Sequence, residues 1–72
     1  MNLEPNIAKK LGNKIKELRI LKGMSQEELS FDANIPKNQV GRIERGEINT
    51  TIVTLNKISI ALEINIKELF DY

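Results

Sequence analysis

Lys37, Asn38, Gln39 and Arg42 fall within six consecutive residues and bring ammonium, amide and guanidinium groups together. Such groups bind polar edges rather than break bonds. An Asn or Gln amide can pair with adenine N6 and N7, an Arg fork with guanine O6 and N7, and a Lys with guanine or a phosphate. A solvated helix face would show the same composition, so the elements that hold these residues decide between the two. Gln26 is a further candidate. It sits in the first turn of an expected helix, where free backbone N–H groups and the positive dipole end favour a phosphate, although a plain helix-start role also fits. Arg45, Asn49 and Thr50 lie where a helix end and the next loop can meet a phosphate backbone, contacts that position without reading sequence.

Catalysis has little to stand on. The 72 residues contain no Cys and no His, which excludes disulfides, thiolate chemistry, imidazole acid–base catalysis and the usual zinc sites. No glycine-rich phosphate loop follows a strand pattern, and most of the carboxylates have structural work within helices. We expect no enzyme, no cofactor and no metal. Net charge is only +1, but it is unevenly spread: residues 1–46 hold nine Lys/Arg and six Asp/Glu, whereas residues 47–72 hold two and four. A basic half and an acidic half suit a chain with one face turned to a polyanion; charges that merely solvate helix faces are the plainer explanation. No run approaches the ~18 apolar residues of a membrane span, and the N-terminus lacks a signal-peptide core. The expectation is a cytoplasmic protein without a membrane partner.

The elements that position these residues centre on Ser25–Gly46, reading SQEELSFDANIPKNQVGRIERG. Ser25 with Glu28 three residues on forms a capping box, and Met24 with Leu29 a hydrophobic staple, so a helix is expected from Gln26. Asn34 and Pro36 end it. A second helix, about residues 37–45, turns Val40, Ile43 and the stem of Glu44 inward and Lys37, Asn38, Gln39 and Arg42 outward, and Gly46 stops it. Two short helices joined by about four residues make a helix-turn-helix. Gly41 inside the second helix either admits a close neighbour or simply weakens it.

Around this pair, residues 1–5 read as an arm, and the domain as residues 6–72. Asn6 is expected to cap a helix to about Lys22, with Ile7 or Ala8, Leu11, Ile15 and Leu18 as its core stripe. Gly12 within it marks either close packing or a tolerated weak point. Thr51 is expected to cap a helix carrying Ile52, Leu55, Ile58 and Leu62, and Asn65 with Glu68 a last short helix. The fold class is all-α, a single five-helix domain. Ile20, Leu21, Phe31, Ile48, Val53, Ile60 and Tyr72 fit no core stripe. Val53 and Ile60, seven residues apart and nearly aligned, together with Tyr72, are expected at a symmetric homodimer contact.

Through SQEEL, the turn ANIP and IERG followed by a helix near TLNKI, the chain resembles the lambda-repressor-like, Cro-type helix-turn-helix DNA-binding family, over roughly Leu11–Phe70. The resemblance implies a prokaryotic or phage-type transcriptional regulator that binds double-stranded DNA as a dimer. It implies base contacts from Lys37, Asn38, Gln39 and Arg42, a backbone-anchoring glutamine at Gln26, and a salt bridge from Arg19 to Glu44. The family often has proline where this chain has Thr50, which leaves that loop's conformation open. Regulators of this size act by occupancy, blocking RNA polymerase or touching it from an adjacent site. ERGE followed by INTT is similar to restriction-modification controllers; an antitoxin-like module with a toxin partner is the alternative.

Overall fold

The computed structural model describes residues 5–72 and contains four α-helices followed by a short 3-10 segment: α1 Pro5–Leu21, α2 Gln26–Ala33, α3 Lys37–Glu44, α4 Ile52–Ala61 and the 3-10 turn Ile66–Phe70. Among the described residues there is no strand. The expected fifth α-helix is thus a 3-10 turn, whose i to i+3 bonding suits a run of five residues bounded at Asp71. Its capping box does form: Glu68 Oε2 accepts from the Asn65 N–H at 2.8 Å, and Asn65 Oδ1 from the Lys67 N–H at 3.3 Å.

The other helix ends follow from equally local chemistry. Ser25 Oγ accepts from the Glu28 N–H at 3.0 Å while Glu28 Oε1 accepts from the Ser25 N–H at 2.8 Å, completing the box at α2. Asn34 ends α2 in the left-handed region at φ 57°, and Gly46 follows α3 at φ +70°. Thr51 caps α4 through the Thr54 N–H at 3.1 Å. One cap differs from expectation. Pro5 opens α1 and Asn6 lies inside it, because a proline at the first helical position gives up only an N–H that would be orphaned anyway. Of the expected arm, residues 1–4 lie outside the described residues.

Leu11, Ile15, Leu29, Ala33, Val40, Ile43, Leu55, Ile58, Leu62 and Leu69 form one core drawn from all five elements. Ala8 rather than Ile7 is buried on the first turn of α1. Ile52, expected on the α4 stripe, is 54% exposed, whereas Ile48, expected outside the core, packs against it. Gly12 resolves in favour of close packing. A Cβ there would meet the Ile43 carbonyl oxygen and lie 2.6 Å from that of Glu44, so α1 rests directly on the backbone of the last turn of α3.

Candidate nucleic-acid interface

The interface is built on a buried polar centre. Arg19, on α1, donates from Nε to Glu44 Oε2 at 2.7 Å and from Nη2 to Glu44 Oε1 at 3.1 Å. Its third donor, Nη1, reaches the Met24 carbonyl at 2.8 Å, so the guanidinium also fixes the loop that enters α2. Both side chains are buried, Arg19 at 8% and Glu44 at 4% exposure, which makes this a bidentate, charge-assisted pair shielded from water. Gln26 completes it: its Nε2 donates to Glu44 Oε1 at 3.0 Å. The amide has a second N–H, so Gln26 is held at the first turn of α2 with one donor committed and one to spare.

From this centre α3 projects outward. Val40, Ile43 and Glu44 face inward, while Lys37, Asn38 and Arg42 are exposed and Gln39 is half-buried at the flank. Asn38 and Arg42, one turn apart, share a face. Gly41 is buried beneath Gln26 and Arg45, since a Cβ there would lie 3.0 Å from Arg45 Nη1 and 3.6 Å from Gln26 Oε1. The small residue therefore lets two of the expected contact residues come together across the α2–α3 junction.

Two loop positions differ from the expected pattern. Thr50 is only 4% exposed and its Oγ1 is buried without a hydrogen-bond partner, so this hydroxyl does not face outward to meet a phosphate; the close of the loop against the core turns it inward. Asn49 beside it is exposed. Glu47 was not singled out by sequence reasoning. Its carboxylate accepts from Arg45 Nε at 2.6 Å and Nη2 at 3.3 Å, and lies 4.0 Å from Arg42 Nε. Hydrogen bonding from Arg45 holds the Glu47 carboxyl below its usual range and raises Arg45 in turn. The only signal in the chain is the spacing RGE, two residues across a left-handed glycine.

Two short helices packed at a tight turn, the second with one face in the core and a donor-rich face outside, define a helix-turn-helix. The comparisons with known proteins agree. The helix-turn-helix family profile matches residues 15–69. The control protein C.BamHI of Bacillus amyloliquefaciens is 37% identical over 68 residues, covering 93% of this chain and 84% of the relative. Among solved structures, the restriction-modification controller protein C.AhdI from Aeromonas hydrophila superposes with a TM-score of 0.87 at 41% identity, covering 88% of this chain and 96% of that one. The controller C.Esp1396I, solved as a tetramer in complex with its natural 35 base-pair operator, gives a TM-score of 0.83 at 34% identity, covering 90% and 86%. The chain belongs to the helix-turn-helix family of DNA-binding regulators and is not an enzyme. No helix among the described residues is long and apolar enough to cross a membrane.

Proposed function

We propose that this chain is a sequence-specific transcriptional regulator of the controller type, which acts by occupying a two-fold related operator as a homodimer. The observation that carries this reading is the exposed row of Lys37, Asn38 and Arg42 on a helix whose other face is locked into the core. In the major groove, Asn38 and Arg42 read base edges and Lys37 meets a guanine or a phosphate, with Gln39 at the flank. The spare N–H of Gln26, the first-turn amides of α2, and the Arg45 and Asn49 side chains grip the backbone and set the register. Dimerisation falls to the outer face of α4, where Val53 and Ile60 are 62% and 67% exposed, with Tyr72, 55% exposed after the 3-10 turn and its ring 6.0 Å from Lys10 Nζ on α1, as a further contact. A cytoplasmic location goes with a duplex ligand.

One observation favours an additional protein partner. Phe31 on α2 is 85% exposed and adjoins Glu27, Glu28 and Asp32, which suits contact with RNA polymerase at a neighbouring site, or with a toxin in an antitoxin-like role. Binding-site selection from random duplexes separates the readings. Enrichment of two-fold symmetric sequences with half-sites about 10 base pairs apart is the expected result. No enrichment at moderate salt would sink the operator reading in favour of the protein-interaction module.

A further inference from the structure

Building on the duplex-binding function above, we propose that the cleft between α1 and the end of α3, lined by Lys9, Asn13, Lys16 and Arg45, is a second backbone-phosphate site that carries the DNA face onto α1. Lys9, Asn13 and Lys16 recur at intervals of four and three residues, so they share one face of the helix. Two glycines bring that face against α3. Gly12 seats α1 on the Ile43 and Glu44 carbonyls, and a Cβ on Gly46 would lie 2.7 Å from Lys9 Cγ and 2.9 Å from the Lys9 backbone nitrogen. Packing of backbone on backbone, not attraction between side chains, thus fixes the position of the two lysines beside Arg45.

The charges there do not cancel. Glu44 also lines the cleft of about 260 Å³, but both its oxygens already accept from Arg19 and Gln26. Arg45 is bonded to Glu47. Lys14, on another side of α1, has Glu17 at 4.0 Å, whereas Lys9 and Lys16 have no ion pair among the described residues. Two ammonium groups and a side-chain amide therefore converge on one cleft whose carboxylate, Glu44, is already compensated by Arg19, an arrangement that an anionic oxygen relieves. The anion is a duplex phosphodiester because the cleft is continuous with the rest of the interface. Arg45 lines it, and Arg45 Nη1 lies next to Gly41 and Gln26 at the first turn of α2. A strand gripped by Gln26 passes on to Lys16 and Lys9.

Fluorescence anisotropy over a salt series tests this with wild type, K9Q/K16Q, K9R/K16R and the charge control K57Q/K67Q, each on the selected operator and on a scrambled duplex. Gln keeps the Lys9 stem against Gly46, so fold is preserved, and an unchanged urea midpoint verifies it. K9Q/K16Q should weaken both duplexes by the same factor and flatten the log–log salt slope by about 0.9 per phosphate lost, about 1.8 per subunit. The Arg variant should restore the slope, and K57Q/K67Q should leave it alone. A steep wild-type slope that K9Q/K16Q does not flatten, or flattens no more than the control does, overturns the cleft while leaving the regulator standing. A wild type that binds neither duplex overturns the regulator and the cleft with it.

Discussion

Arg19 and Arg42 show how differently two arginines can be used within one small interface. Arg19 is buried with all three of its guanidinium nitrogens bonded, two of them to Glu44. Removing it strands a carboxylate whose remaining partner is the neutral Gln26 amide. Arg19→Ala should cost about 3–5 kcal/mol, and Arg19→Lys should recover little, because an ammonium cannot reproduce the bidentate fork. Against the few kcal/mol that a core of this size supplies, that loss leaves the chain largely unfolded in urea titrations at low denaturant. Arg42, by contrast, is exposed and lies 4.0 Å from Glu47, so its replacement should leave stability nearly untouched. Arg42→Ala should instead cost about 1–3 kcal/mol per half-site and relax preference at one base pair in each. Binding-site selection checks this: a variant that keeps the full preference and loses only overall affinity would show that Arg42 meets the backbone.

At the scale of the element, what was legible in the sequence was whatever chemistry fits inside four or five residues. The Ser25–Glu28 and Asn65–Glu68 boxes, the left-handed exit at Asn34 and the stop at Gly46 all stand where the residue types put them. Features decided by a distant partner left no local signal; the Arg19–Glu44 pair was expected only through the family resemblance, and others were not legible at all. Whether the last turn is α or 3-10 leaves no trace in five residues, and Thr50 turns inward only because the rest of the loop closes on the core. Glu47 is visible as a ligand of Arg45 only once Gly46 has reversed the chain between them. The α2 box also makes a pH prediction. The Ser25 backbone N–H, and then its hydroxyl, hold the Glu28 carboxyl below its ordinary value. The unfolded chain therefore takes up this proton first as pH falls, and the contribution, complete above the ordinary carboxylate pKa, fades as pH drops through that value toward the lower folded one. Ser25→Ala should lower the urea midpoint at neutral pH, by about 0.5–2 kcal/mol of stability, and reduce its decline in acid. An unchanged midpoint and slope would remove the box as a stabilising feature.

At the scale of the whole molecule, the chain sits where one hydrophobic core is barely enough, and association would add what it lacks. Ile60→Asp should give a monomer in sedimentation equilibrium, whose melting no longer depends on protein concentration. For wild type, three to four phosphates per subunit give a log–log salt slope of about −5 to −7, and the monomeric variant should show about half of it. A dimer that survives Ile60→Asp would move the contact off the outer face of α4.

The seating of Gly12 on the Ile43 and Glu44 carbonyls has a dynamic corollary. With the Arg19 fork bridging the same two helices, α1 and α3 cannot separate by a side-chain rearrangement; they part only when the chain as a whole opens. Their central amides should therefore exchange with deuterium with the free energy of global unfolding, and those of Ile66–Phe70, a single five-residue turn, by cheaper local opening. Equal protection in the two regions would show that the α1–α3 contact is not the rigid unit of the fold. If the difference is found, the helix proposed to meet the bases arrives already ordered, and little of its binding free energy is lost to immobilising backbone.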